Sequence, residues 1–351
     1  MAASAVPTAQ GATRPVVALI YGGASGEHDA SRLSAAQVLQ HIDRDRWTPM
    51  LLGVSRDGRW HRVDGIDDLD RAGPGPALPD LEGIDIAFPL IHGHNGEDGT
   101  LQGMLEMAGV PYVGCGVLAS AIGMDKEIAR RLFAAAGIPT IPTKVITPSN
   151  RGDAELEAQR LGYPVFVKPN QSGTSVGVSK VDEPALLSAA LNEAFRHDSE
   201  VLLQPKIVGR EVEVGILQHP DGRIEVSPAL QVQFDEQFPF LTYDAKYTPG
   251  GEHYEIPAPL GNEQSANLTQ YAETAFTAIH GDGFARVDFF VADDGRVLVN
   301  EINTVPGLTA FSHYPMMWAA VGRSMTDVIT VLCERAVAAR PNGRTHVWQP
   351  R

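Results

Sequence analysis

The chain has 351 residues, 43% of them hydrophobic, which is room for two or three domains with sizeable cores. Its 28 basic residues face 43 acidic ones, a formal net charge of −15, so neither nucleic acid nor an anionic membrane is a partner held by the general field. The two cysteines, Cys115 and Cys333, offer no disulfide framework and no metal-ligand spacing, as suits a reducing compartment.

The opening MAASAVPTAQGATR is small and polar and lacks the basic start and apolar core of a secretion signal, so residues 1–14 are expected to be a disordered extension. No run reaches the ~20 apolar residues of a membrane span, and a cytoplasmic location is expected. VVALIYGG reads as a strand ending in glycines, and EHDASRLSAAQVLQHI after it has apolar residues at helical spacing. A Pro/Gly-rich loop, DDLDRAGPGPALPDLEG, precedes a second such unit, IDIAFPLIHG followed by the helix TLQGMLEMAG. Alternation of this kind predicts a parallel α/β sheet over roughly residues 15–125.

The middle, residues 126–212, opens with the helix KEIARRLFAAAG. Strands are expected at YPVFVKP, VGVSKV and EVLLQPKI, with the helix EPALLSAALNEAF among them. From residue 213 onward come the strands EVGILQH and RIEVSPALQV, a polar loop over 233–256, a helix near 263–280, a hairpin, and an amphipathic tail, MTDVITVLCERAVAAR.

The hairpin carries the chemistry. FARVDFFV and RVLVNEIN are β-rich runs around ADDG, and Asp-Gly is a strong turn signal. A two-residue loop at Asp294 and Gly295 sets Asp288 opposite Glu301 and Arg286 opposite Asn303. A four-residue loop keeps all four on one face, because the strand period is two, whereas a three-residue loop breaks the arrangement. Opposed acids destabilise a strand pair unless a cation lies between them. Two carboxylates and an amide oxygen form a hard donor set, suited to Mg²⁺ or Mn²⁺ holding phosphates. Any one of these acids alone would be an ordinary exposed edge residue; the four at matched parity favour the metal.

YPVFVKPNQSGTSVGVSKV places Lys168 on a strand before a Gly/Ser/Thr loop, where backbone N–H groups and one ammonium meet a phosphate. There is no P-loop and no kinase signature. Such a loop is more often a mere turn, and gains meaning only beside a hard-metal site. Glu211, in QPKIVGREVEV, has the chemistry to accept from ribose hydroxyls, although by itself it is an ordinary surface residue.

GGASGEHDAS, HGHNGEDGTLQG, MDK, KPNQSGTSVG, EVEV, DAKY, RVDFF and NEINTVPGLTAFS occur in the order found in D-alanine–D-alanine ligases of the ATP-grasp superfamily, and residues 16–325 resemble that family. The resemblance implies a three-domain α/β (α+β) ATP-grasp architecture: an N-terminal parallel α/β domain over 15–125, a central domain over 126–212, and a C-terminal domain over 213–351 whose 233–256 loop is a lid. It implies ATP and Mg²⁺ or Mn²⁺, two ions, as cofactors, D-alanine as substrate, and a homodimer. Asp288, Glu301 and Asn303 resemble the family's metal ligands. Lys126, Lys168, Ser175 and Lys246 resemble its ATP contacts, and Glu211 its ribose contact. Arg286 resembles the arginine at the developing oxyanion, and Glu27 the acceptor of the first substrate's ammonium. His92, Gly307 and Ser312 resemble substrate-site positions, while Glu27, Thr174 and Tyr247 form the family's hydroxyl-linked triad. Taken alone, Glu27 is equally a helix N-terminal acid, and His92 a core histidine.

Several positions depart from the family pattern. Thr174 stands where the loop usually reads Gly-Ser-Ser, and Gln204 where an adenine-side glutamate is common. TYDAKY keeps Tyr243 but has Thr242 before it where YDY is frequent, and HDAS replaces HEVS, as in some ligases that make altered termini. The resemblance implies ATP-dependent joining of two D-alanines through an acyl phosphate, for peptidoglycan precursors. Ligation of D-serine or D-lactate as second substrate is the alternative, and a non-catalytic nucleotide-binding regulator is the reading of another class.

Overall fold

The computed structural model of the chain describes residues 14–173, 176–234 and 252–339. Strand β1 (Val16–Gly22) leads through Gly22 and Gly23, both at positive φ, into helix α1 (His28–His41). β2 (Thr48–Val54), β3 (Trp60–Val63) and β4 (Ile86–Pro89) complete a four-stranded sheet of order β3-β2-β1-β4. β1 runs parallel to β2 and β4, and β3 is antiparallel to β2. β1 is apolar throughout because both of its faces are covered. Val17, Leu19 and Tyr21 join one core with Ala35 and Val38 of α1, while Ile20 joins another with Leu101 and Leu105 of helix α2 (Thr100–Ala108).

After α2 come α3 (Val117–Met124) and α4 (Lys126–Ala135), the latter capped by Asp125, whose carboxylate accepts from Ile128 N. A second four-stranded sheet holds β5 (Lys144–Ile146), β6 (Val165–Pro169), β7 (Ser179–Val181) and β8 (Val201–Pro205), in the order β5-β8-β6-β7. Helices α5 (Ala154–Leu161) and α6 (Pro184–Ala194) close its core around Val165, Val167 and Leu203.

The largest sheet comprises β9 (Gly209–Gln218), β10 (Ile224–Val226), β11 (Leu230–Phe234), β12 (Glu252–Glu255), β13 (Phe284–Ala292) and β14 (Val297–Asn303). Its order is β12-β11-β9-β13-β14, with β10 on β9, and helix α7 (Asn262–Ala278) follows β12 in the chain. Thus both ends of the expected 233–256 loop are paired strand, Phe234 opposite Glu252, and residues 235–251 between them lie outside the described residues. Period two divides the sheet cleanly. Val212, Val214, Ile216, Ala285, Val287 and Phe289 pack with α7 and with Ala129 and Phe133 of α4, which leaves Glu211, Glu213, Arg286 and Asp288 on the opposite face.

Two last helices, α8 (His313–Ala319) and α9 (Met325–Ala338), return to the start of the chain. Tyr314, Trp318, Val328, Ile329 and Leu332 share one core with Val17, Leu19 and Phe88 of the first sheet. Arg335 clamps Asp282 through Nε and Nη2, both at 2.9 Å, and Tyr314 donates to Ile216 O at 2.8 Å. No described helix is long and apolar enough to cross a membrane.

Candidate active site

The hairpin turn differs from the expected one. Ala292 N donates to Arg296 O and Gly295 N to Ala292 O, so Asp293, Asp294 and Gly295 form a three-residue loop, with Gly295 at φ +90°. A loop of that length alone would misalign the acids. A β-bulge restores them: Phe289 faces Val299 but Asp288 faces Glu301, and Asn300 is the extra residue. The pairs expected at the site, Asp288 with Glu301 and Arg286 with Asn303, are therefore present.

Across the neighbouring strand Asp288 also faces Glu213, so three acids stand in one row on β9, β13 and β14. Among the described residues, Arg286 and Lys126 supply compensating charge. Arg286 Nε and Nη2 donate to the two Asp288 oxygens at 2.7 and 2.8 Å, and Nε lies 3.1 Å from Glu213 Oε2. Lys126 Nζ is 3.5 Å from Glu301 Oε2. Burial still pushes the Asp288 carboxyl up to about 6; Glu213 and Glu301 add to the rise and Arg286 opposes it. Asn303 Oδ1 accepts from Val305 N at 2.9 Å, which fixes the exit from β14. Among the described residues no three His, Cys, Asp or Glu side chains form a closed metal cluster. The oxygen set of Asp288, Glu301 and Asn303 is an open one, and it fits a hard divalent ion whose remaining ligands are phosphate oxygens and water.

Lys168, on β6, approaches this row from the second sheet. Its Nζ donates to Asn300 Oδ1 at 3.3 Å, so the bulge residue steadies the lysine. Burial pulls the Lys168 pKa down to about 8, helped by Lys126 and opposed by Glu301 and Glu211. A buried ammonium among carboxylates suits an anion arriving between them. If the Lys168 ammonium meets the phosphates of ATP, KM for ATP is expected to rise as pH passes 8, where that charge is lost. Steady-state KM from pH 7 to 9.5 checks this; Lys168→Arg, which keeps its charge, should flatten the rise, and a rise unchanged in that variant would assign it elsewhere.

The loop after β6 is tied to the α3–α4 junction. Asn170, fully buried, accepts from Glu127 N at 2.9 Å and donates to Asp125 Oδ1 at 2.9 Å, and Lys126 Nζ donates to Ser172 O at 2.7 Å. Gln204 Nε2 donates to Thr143 Oγ1 at 2.9 Å. Thr174, Ser175, Lys246 and Tyr247 lie outside the described residues.

The second half of the site lies where the first sheet meets that loop. Glu27 precedes α1, and its carboxylate sits between two glycines: a Cβ on Gly93 would come within 3.2 Å of Oε2, and one on Gly173 within 3.3 Å of Oε1. His92, at the end of the segment after β4, is buried. Its Nε2 lies 3.0 Å from Ser34 Oγ, and its Nδ1 lies 3.1 Å from Val305 O and 3.3 Å from Glu97 Oε1. Burial opposes charge on His92, but Glu97 and Glu27 leave its pKa raised. Ser34 Oγ also accepts from Leu308 N at 3.3 Å, joining α1 to the loop after β14. In that loop Gly307 needs its missing Cβ, which would lie 2.7 Å from Ser312 Oγ, and Ser312 Oγ is 2.8 Å from Thr309 Oγ1.

Asn300, Glu97, Ser34, Glu213 and His313 complete the site and went unremarked in the sequence. Only Glu213 had a signal, two residues from Glu211 and hence on the same strand face.

The family model described as D-ala D-ala ligase N-terminus matches residues 16–115, and that described as D-ala D-ala ligase C-terminus matches residues 132–334. The chain is similar to the D-alanine–D-alanine ligase of Nocardia farcinica, 42% identical with 92% of this chain and 97% of the relative covered. It is 40% identical to that of Mycolicibacterium smegmatis, over 93% of this chain and 96% of the relative. Among solved structures it is similar to the VanG D-Ala:D-Ser ligase from Enterococcus faecalis, with a TM-score of 0.81, 32% identity, and 92% of this chain and 100% of that one covered. The D-alanine–D-alanine ligase from Coxiella burnetii matches with a TM-score of 0.81 and 29% identity, over 94% and 95% of the two chains.

Proposed function

This chain belongs to the D-alanine–D-alanine ligase family, and we propose that it joins two D-alanines at the expense of ATP, for peptidoglycan precursors, at the site described above. The fold is the mixed α/β fold of that family, ATP-grasp in type. ATP and D-alanine are its small-molecule substrates. The observation that carries the reading is the charge arrangement: an acid row held open beside Lys126 and Lys168, with an arginine built into it.

In the first step a carboxylate oxygen of one D-alanine attacks the γ-phosphorus, the bond to the ADP oxygen breaks, and an acyl phosphate forms. Lys126 and Lys168 meet the phosphates. Asp288, Glu301 and Asn303 would hold Mg²⁺, two ions, whose charge would offset that of the transferring group. In the second step the unprotonated amine of the other D-alanine attacks the acyl carbon, the C–O bond to phosphate breaks, and the amide retains one N–H. Arg286 donates to the oxygen that becomes anionic there. Glu27 receives the first substrate's ammonium, with His92, Gly307 and Ser312 around the substrates. Glu211 takes the ribose. Thr174, Ser175, Lys246 and Tyr247 act at the same site, and exclusion of water there protects the acyl phosphate. The working division is residues 15–125, 126–212 and 213–351, in a cytoplasmic homodimer.

D-Alanine rather than D-serine is favoured as second substrate, since the relatives at 40–42% identity are D-alanine–D-alanine ligases while the D-Ala:D-Ser ligase is 32% identical. Phosphate release and product identity with D-alanine, alone or paired with D-serine or D-lactate, test this. The D-alanyl dipeptide should exceed either mixed product by about tenfold or more. Phosphate release indifferent to D-alanine would sink the ligase reading.

A further inference from the structure

One chain of polar groups runs from the acid row to the edge of the sheet. Glu213 is 6% exposed, and a single oxygen, Oε2, lies 3.1 Å from Arg286 Nε, as an ion pair, and 2.7 Å from His313 Nδ1, as a hydrogen bond. Arg286 in turn holds both oxygens of Asp288. On the far side, the His313 ring meets Tyr254 edge to face, with centroids 4.8 Å apart. Tyr254 lies on β12, the strand that follows the segment carrying Lys246 and Tyr247.

The geometry of the arginine is the informative part. A guanidinium is a rigid planar fork, so fixing two of its nitrogens fixes the third. Nε and Nη2 are engaged by Asp288, and Nε is shared with Glu213. Nη1 has no hydrogen-bond partner among the described residues. Asp288 alone leaves the fork dependent on a residue that must also serve a divalent ion. When the ion draws on Asp288, a second anchor is needed to keep Nη1 in place. Glu213 is that anchor, and His313 holds the shared oxygen from the other side, where it also meets the strand after the closing segment.

We propose that Glu213, steadied by His313, is a positioning residue that keeps the Nη1 edge of Arg286 aimed at the reacting carbonyl while Asp288 serves the metal. This rests on the ligase reading above and adds to it a division of labour. The phosphoryl step depends on the lysines and the ion, whereas the amide-forming step depends on the Glu213–Arg286 geometry. A misaimed arginine therefore slows attack by the amine more than formation of the acyl phosphate. Water then takes the amine's place, returning D-alanine and inorganic phosphate, so ATP is spent without dipeptide.

The test is the ratio of ADP to dipeptide formed, with kcat and KM for ATP, in the unaltered full chain, Glu213→Gln and His313→Phe. Glu213→Gln keeps the shape and removes the charge, and His313→Phe keeps a ring against Tyr254 without the donor. Dipeptide formation should fall about tenfold in Glu213→Gln and severalfold in His313→Phe, with KM for ATP within about twofold of the original. The ADP-to-dipeptide ratio should rise from about 1 to 3 or more in Glu213→Gln. A purely structural role lowers the melting temperature and both products together, leaving that ratio unmoved; that outcome, or unchanged kinetics in both variants, overturns the inference while the ligase reading stands. If the unaltered protein makes no dipeptide, both fall. Should Glu213→Gln fail to fold, the ratio in His313→Phe decides.

Discussion

Glu301→Gln is expected to lower turnover by about a thousandfold or more while leaving the fold intact. Glu301 stands directly across from Asp288, and with Asn303 the two carboxylates form the oxygen set proposed to hold Mg²⁺. An amide keeps the shape but removes one of the two negative charges that hold the ion over the phosphates, and phosphoryl transfer relies on that ion for neutralisation. Stability should change little, because the Glu301 side chain is 32% exposed and its contact with Lys126 is long, at 3.5 Å. Relief of repulsion from Asp288 offsets what the loosened lysine loses. The checks are kcat across a Mg²⁺ titration and the melting temperature of the free protein. Mg²⁺-dependent activity at its original level would remove Glu301 from the metal site.

Arg286→Met is expected to fail in both respects. The guanidinium is the counter-charge of two acids, the buried Glu213 and the part-buried Asp288, and removing one member of a buried ionic cluster typically costs ~3–5 kcal/mol, an upper bound here. Loss of one oxyanion donor removes a further ~10²–10³ in rate. The stability loss carries a pH signature. Asp288 already has a folded-state pKa raised to about 6, above its unfolded value, so its penalty is absent below about pH 4 and complete above about pH 6. Without Arg286 the carboxyl is raised further, and the window in which stability falls with rising pH extends upward. Denaturant unfolding from pH 4 to 8 should therefore show the variant losing more of its stability than the original over this range. Arg286→Lys, which keeps the charge without the fork, should recover stability more than activity. Equal stability of Arg286→Met and the original at neutral pH would show that the two acids do not depend on this residue.

The hairpin shows how far the sequence reaches. Period two and a turn signal were enough to set Asp288 across from Glu301, but the loop behind that inference was of another length. The agreement arises because the bulge at Asn300 offsets the three-residue loop, and nothing in NEIN distinguishes a bulged asparagine from a paired one. The apolar β1 and β4 were legible because burial on both faces leaves a continuous hydrophobic run. β2 and β3 were not: TPMLLGV is broken by threonine, proline and glycine, and WHRV is a four-residue edge strand that is mostly half-exposed. Lys168 stood out in the sequence by its Gly/Ser/Thr loop, but its bond to Asn300 joins positions 132 apart and leaves no local trace. His313 and Glu213 are separated by 100 positions and meet only because α8 folds back on β9.

The core shared between the first sheet and the last helices has a consequence for synthesis. Val17, Leu19 and Phe88 are made early, yet Val328, Ile329 and Leu332, which share the same core, follow Phe88 by at least 240 positions. Until those helices emerge that core is covered only in part, by α1, and closing so long a loop is slow for entropic reasons. A sheet left half-covered for that interval is a place where nascent chains associate wrongly.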